Sequence, residues 1–437
     1  MKRYKKAKIC SVWSVIPAFI LMAYIPGGPA VQAAEDTIKI GVIGPMKYVQ
    51  GIHHLAAAEI ARDEIMAAGG ISVGGKQYKI RLVQADSNEI ASVTDAVNAM
   101  ERIIANEKVD FIVGGFRSEA TLAMMEVNAD YKTIFLSCGP ASPDLSVQVA
   151  KNYNRYKYWF RGGPPNSISS APSAFMFIEM VAGAVRKELG IEKPKIAILA
   201  DKALYIEPAV KMLESQLPNR GLEVVGTWRP SFTASSVMTE LTAIKAAGAQ
   251  MIFTYAAGSA GVAYSNQWGE LKIPAGMFGL NVEAQRIQHW KSTEGRCAYL
   301  AMTAFFAKAA ATKRSIPFYD KFVAKVGDAP TSTASSYDAI WMLKDAIERA
   351  GSLQKDAIVT ALEKTNFEGA QGRLVYYPND HKWPHDLQWG PGFVTMFSVQ
   401  WRDGEMKVVW PDGSKAIRGV RYEGTVDYKL PPWMVKK

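Results

Sequence analysis

Cysteine is scarce in this chain, with three residues in 437. Cys10 sits near the start, which leaves Cys138 and Cys297 for the globular part. A chain of this length does not need disulfides to fold, and two cysteines far apart in sequence read as buried thiols, with a bridge between them as the alternative. Histidine is as rare, at five residues, and none has zinc-ligand spacing. His53 and His54 are adjacent, so on a helix they point about 100° apart and chelate poorly. They read as solvated or capping side chains. No Gly-x-Ser-x-Gly elbow and no phosphate loop is present, and the Gly114–Gly115 turn lacks the dinucleotide pattern. Catalysis thus has no motif behind it, and no cofactor or metal is expected. No cluster of Lys and Arg interleaved with aromatics occurs, which argues against nucleic acid as a partner.

Long hydrophobic runs are also missing, save one. Lys2, Arg3, Lys5, Lys6 and Lys8 precede an uncharged run from Ile9 to Ile25, broken by Pro26, Gly27, Gly28 and Pro29. Val31, Gln32 and Ala33 then offer small residues for cleavage, so residues 1–34 read as an export signal cut near Ala33 or Ala34. The competing reading is an uncleaved anchor, since the run is only slightly short of a membrane span. Pro17 and the small residues count against it, and Cys10 precedes the apolar stretch, unlike a lipid-modified cysteine. Those five basic residues supply half of the formal net charge of +10. The remainder, near +5, is spread along the chain. A periplasmic location is expected.

What is present is an alternation of short apolar runs and helical segments. With 49% hydrophobic residues, the chain can bury large cores, and its length suggests two or three lobes. Thr37–Ile43 reads as a strand stopped at Gly44. A helix follows in which Leu55, Ala58, Ala61 and Ile65 recur at helical spacing, ending at Gly69 and Gly70. Strand Tyr78–Gln84, helix Ser92–Ile104, strand Phe111–Val113, helix Ala120–Asp130 and strand Ile134–Leu136 continue the series. It predicts a parallel α/β sheet, with ligands outside the carboxyl ends of its strands. The polar turns at Gly114–Glu119 and Ser137–Pro143 fall on that edge. After an aromatic crossover at Tyr156–Arg161, a second series runs from the helix at Ser173 through strands at Lys195–Ala200, Leu222–Thr227, Met251–Tyr255 and Gly276–Gly279. Helices Thr333–Ala350 and Leu353–Lys364 and strands Arg373–Tyr377 and Phe393–Trp401 come later. The tail from Gly404 onward reads as turn and loop.

Spread over this chain are IKIGVIGP, DEIMAAGG, AVNAMERII, FIVGGFRSEAT, LSCGPASPDL, WFRGG, IAILADKALY and GRLVYYPND. In this order and spacing they resemble the type I periplasmic substrate-binding proteins of ABC importers, in the branch that includes the leucine/isoleucine/valine-binding proteins. The resemblance implies an α/β fold of two Rossmann-like lobes joined by a three-crossover hinge, with the ligand in the cleft. From the crossovers, lobe 1 is placed at 36–161 and 303–371, and lobe 2 at 162–302 and 372–437. The implied function is extracytoplasmic capture of a small amino-acid-like, amide or organic-acid solute by lobe closure, without catalysis, by a monomer that delivers to an inner-membrane ABC permease. The alternative is a ligand-sensing subunit for a membrane signalling protein. An exported enzyme on the same fold is the third reading.

The resemblance also implies site residues. Ser118 matches the family's serine at a helix start, where free backbone N–H groups suit a carboxylate. Ser137, Cys138, Gly139 and Ala141 match the turn after the next strand, with Ala141 where amino-acid binders place a Thr. Tyr205 and Tyr255 match tyrosines at strand ends of the second lobe. Asn281 stands where relatives place the acid that holds an ammonium, with Glu283 or Glu119 as possible substitutes. A buried ammonium without an acidic partner costs on the order of several kcal/mol. The solute is therefore left open between amino-acid-like and not. Arg117 would suit an anion if it faces the cleft, and otherwise pairs with Glu119 or Asp144. Tyr48 and Gln50, in the first loop on the same sheet edge, are candidate contacts or lobe-contact residues. His381, Trp383, His385 and Trp389 form an aromatic loop expected against lobe 2 or the cleft rim.

Overall fold

The computed structural model describes residues 36–390, 392–394 and 396–435, with backbone only at Tyr205 and Ala416. The expected export signal and its cleavage point lie outside them. The apolar runs form strands because both of their faces are covered, so a strand such as β1 (Thr37–Gly44) keeps Ile38, Ile40, Val42 and Ile43 fully buried. In the first sheet β1 lies between β3 (Lys76–Asp86) and β4 (Phe111–Gly114), parallel to both, with Ile40 opposite Phe111. β5 (Ile134–Ser137) and β6 (Trp159–Arg161) extend it beyond β4, and β2 (Ile71–Val73) closes the other edge as a hairpin with β3.

Helix α1 (Val49–Ala67) and the helix Ser336–Ala350 cover one face of this sheet, around Ile40, Val42, Leu136, Phe160 and Leu343. Helices α2 (Val93–Ala105) and α3 (Ser118–Asp130) cover the other, around Ile43, Ile103, Met124, Phe135 and Trp159. The strand order changes direction between β1 and β4, so their carboxyl ends open a crevice.

The second sheet repeats the plan. Strands β7 (Lys195–Ala200), β8 (Glu223–Trp228), β9 (Met251–Ala256), β10 (Gly276–Asn281) and β11 (Ala301–Ala304) are parallel in the order β11-β10-β9-β7-β8. Beyond a small hairpin of β12 (Asn366–Glu368) and β13 (Arg373–Val375), strands β14 (Phe397–Arg402) and β15 (Glu405–Trp410) add an antiparallel edge to this second sheet. The order reverses between β7 and β9, giving a second crevice. The fold is thus two Rossmann-like α/β lobes.

Two lobe boundaries differ from expectation. Thr303 and Ala304 stay in β11 of the second sheet, so the crossing back follows them instead of preceding Thr303. The final crossing comes near Phe397, not at 371/372, because Leu374, Tyr376, Leu387, Val394 and Met396 bury into the first lobe's core. The aromatic loop moves with them. His385 stacks on Phe160 at 3.9 Å and takes Glu363 at 3.1 Å, so the loop packs on lobe 1, not lobe 2. β2, β6, β11, the helix Ser315–Val326 and β15 are elements the sequence pattern does not announce. Cys138 and Cys297 are buried free thiols. Among the described residues no helix is long and apolar enough to cross a membrane, and no group of side chains is set to hold a metal ion.

Candidate functional site

β4 ends in Gly114 at φ 123, where an added Cβ would lie 1.9 Å from the Ile43 carbonyl. Only glycine permits that close approach. The next turn is pressed against this one, since a Cβ on Gly139 would meet the Gly115 carbonyl at 2.6 Å. His54 of α1 supports the first turn from beneath. Its Nε2 donates to the Gly115 carbonyl at 3.2 Å, while Nδ1 faces the Ser336 hydroxyl at 2.8 Å. Burial lowers its pKa to about 3, so the ring is neutral and this tautomer is fixed.

The amides that open α3 have an internal partner. The buried Glu89 carboxylate accepts from Phe116 N at 3.0 Å, Arg117 N at 2.7 Å and the Ser87 hydroxyl at 2.8 Å. Burial raises its pKa, and these donors oppose the shift. Arg117 turns back over the same segment. Its Nη1 donates to the Ile90 carbonyl at 3.0 Å, its Nη2 pairs with Glu119, and its guanidinium lies 5.7 Å from the Phe232 ring of the second lobe. Ser118 is buried, and its Oγ accepts the Ser142 amide at 3.1 Å, tying the two turns together.

The second turn is held by a buried ion pair. Arg161, fully buried at the end of β6, lies 2.7 Å from Asp386 and donates to the carbonyls of Pro140 and Ser142. Asp386 also accepts from Ser146 at 2.6 Å and Asn166 at 3.0 Å. In the other lobe Asp201, after β7, repeats the Glu89 arrangement. It accepts the amides of Ala257 at 2.8 Å and Gly258 at 3.1 Å and the Tyr264 hydroxyl at 3.0 Å, and burial pushes its pKa up to about 6.

Between these turns lie two adjoining cavities of about 60 Å³ each. The first is walled by Phe116, Phe232, Leu280, Val282 and Phe305, with Arg117, Ser118, Glu119 and Ser332 as its polar groups. The second is walled by Ile206, Phe253, Phe305 and Met396, and its polar side chains are Ser167, Ser170, Tyr255 and Thr303. Ala141, Pro164, Leu280 and Phe305 line both. Phe116 from lobe 1 packs with Ala257 and Val282 from lobe 2, so the lobes meet across an apolar seam.

Residues 37–404 match the family model described as periplasmic binding protein. The chain belongs to the periplasmic binding protein family. Within it, the chain is 23% identical over 417 residues to a Leu/Ile/Val-binding protein homolog of Brucella abortus, covering 92% of this chain and 97% of that one. Its fold is similar to that of a leucine binding protein of Thermotoga maritima, with TM-score 0.67, 21% identity and 85% and 97% of the two chains covered. It is also similar to a solute binding protein of an ABC transporter from R. palustris in complex with benzoate, with TM-score 0.68, 14% identity and 89% and 99% covered. The relatives are solute-binding proteins, and the chain is a periplasmic binding protein.

Within this periplasmic binding protein, six of the residues singled out from sequence line the cavities. Arg117, Ser118, Glu119 and Gly139 line the first, Tyr255 the second, and Ala141 both. Five others do not. Cys138 points into the core below the sheet, and Ser137 is fully buried. Asn281 spends its amide on the Gly261 carbonyl at 2.8 Å and the Ala284 amide at 3.1 Å. Tyr48 is 43% exposed and Gln50 is buried in α1, and neither lines a cavity. The Tyr205 side chain lies outside the described part of the structure.

Glu283 pairs with Arg286 at 3.3 Å outside both cavities. His53 and His54 are buried, not solvated, because Thr331 and Ser336 supply their partners. The main omissions from the sequence reading are Phe116, Phe232, Leu280 and Phe305. Only Phe116, beside Arg117 in the turn, carried a signal that could have found it.

Proposed function

We propose that this protein is the extracytoplasmic receptor of an ABC importer and that it captures a small, largely apolar organic acid between its lobes. The observation that carries this reading is the wall of Phe116, Phe232, Leu280, Val282 and Phe305 around a single charged pair, Arg117 with Glu119. Apolar contact supplies affinity, at roughly 25 cal/mol per Å² of surface removed from water. Arg117, Ser118 and Ser332 supply polar partners for a carboxylate head.

An α-ammonium finds no comparable partner. Glu119 is already paired with Arg117, and Asn281 stands in the place of an acid with its side chain turned into its own lobe. A buried cation without a counter-charge costs several kcal/mol. The benzoate-bound relative fits this reading better than the leucine-type relatives do. Binding then works as a shift from open to closed lobes, and the closed form is what a permease would recognise. Calorimetric titration tests the solute class. Benzoate is expected to bind and leucine to give no heat, whereas tight leucine binding would overturn the non-amino-acid reading.

A further inference from the structure

The second cavity has a chemical character of its own. No charged residue lines it. Its polar side chains are all hydroxyls, and three of the four have no hydrogen-bond partner among the described residues. Ser167 Oγ is buried and unpartnered. Its backbone is fixed, because Ser167 N donates to the Ala141 carbonyl at 2.8 Å. The Tyr255 hydroxyl, at the end of β9, and the Thr303 hydroxyl of β11 have no hydrogen-bond partner among the described residues, and both residues are half-buried on the cavity wall. Ser170 alone is engaged, donating to the Asn166 carbonyl at 2.8 Å.

A buried hydroxyl such as that of Ser167 is nearly always paired. Two residues from lobe 2 strands and one from the crossover therefore stand ready for a partner supplied from inside the cavity. A charged group is excluded there, because the surrounding Ile206, Phe253, Phe305 and Met396 offer it no counter-ion. A neutral hydroxyl or carbonyl fits.

The geometry points to a solute with two ends: a carboxylate head beside Arg117 and, across the shared wall of Ala141, Pro164, Leu280 and Phe305, a neutral hydroxyl or carbonyl tail held by Ser167, Tyr255 and Thr303. This inference rests on the apolar-acid reading of the first cavity and adds the chemistry of the far end. It makes Ser167 and Tyr255 specificity-determining residues.

The test compares 3-phenylpropanoate with 3-(4-hydroxyphenyl)propanoate by calorimetry on the full mature protein. One added hydrogen bond to a hydroxyl predicts that the hydroxylated acid binds about three- to tenfold tighter. Ser167→Ala and Tyr255→Phe should each reduce that advantage, the readout being the ratio of the two acids' affinities in each variant. Equal affinity of the two acids for the unmutated protein would overturn the inference and leave the apolar-acid reading standing. So would equal losses for both acids in the variants. Failure of both acids to bind would overturn the parent reading and the inference with it. The comparison on the unmutated protein needs no variant to fold.

Discussion

Arg161 shows how one buried side chain can hold a binding surface it does not line. Its guanidinium sits beneath the Ser137–Pro143 turn, bonded to two of its carbonyls, and its charge is balanced by Asp386 from a loop more than two hundred residues later. A buried pair of this kind adds little net stability over an apolar pair, but removing one partner strands a charge, at about 3–5 kcal/mol. Asp386→Ala is therefore expected to lower urea-unfolding stability by that amount. Arg161→Met with Asp386→Leu should recover most of the loss, and a double variant as unstable as the single one would contradict the account.

At this scale the family resemblance pointed to Ser118, Gly139, Ala141 and Tyr255, and the chemistry of the first polar turn pointed to Arg117. Phe232 and Phe305 were not legible. They reach the cleft from loops whose path is set by the opposite lobe, which no local pattern encodes.

The elements explain how the turns are kept rigid. α1 carries His53 and His54 on its buried side, joined to the Thr331 and Ser336 segment, and His289 follows β10 with its Nε2 2.7 Å from Ser265. Burial lowers the three pKa values to about 3, 3 and 4 from 6.5. The folded state therefore refuses protons that the unfolded chain accepts below pH 6.5. Stability from this source is complete above about pH 6.5 and is lost as pH falls toward 3–4.

At pH 4.5 each histidine accounts for roughly 2–3 kcal/mol of loss. Asp201 acts in the opposite direction. Its folded pKa of about 6 exceeds 3.8, so it regains roughly 2 kcal/mol over the same interval and offsets about one of the three. Burial also raises the pKa values of Glu89 and Asp338, which act in the same direction as Asp201. The test is therefore a difference: between pH 7 and pH 4.5 the unmutated protein should lose roughly 2–3 kcal/mol more urea-unfolding stability than His289→Gln. An unchanged slope in that variant would contradict the assignment.

Most strands were legible because a parallel strand covered on both faces reads as an unbroken apolar run. β6 and β11 were not, since three or four residues are too few for such a run to stand out from a loop. The aromatic loop was misplaced because its rings fit any apolar surface. The buried Asp386 chooses this one.

Across the whole molecule, the lobes are joined by two kinds of chemistry. In one contact Phe116 meets Ala257 and Val282. In another, Arg286 and the Ile287 amide of lobe 2 bind Asp328 of lobe 1 at 2.8 and 2.5 Å. An apolar solute adds surface to the seam and so favours the closed lobes. The two wound sheets were readable from the alternation of strand and helix, while the last crossing was not, since a return strand can add to either lobe until packing decides.

Mass spectrometry of the solute that remains with the protein through gentle purification tests the central claim most directly. The account predicts one apolar carboxylic acid without an amino group per chain, absent from Phe116→Arg, which sets an extra charge in the seam. An α-amino acid in its place, or the same acid retained undiminished by that variant, would contradict it.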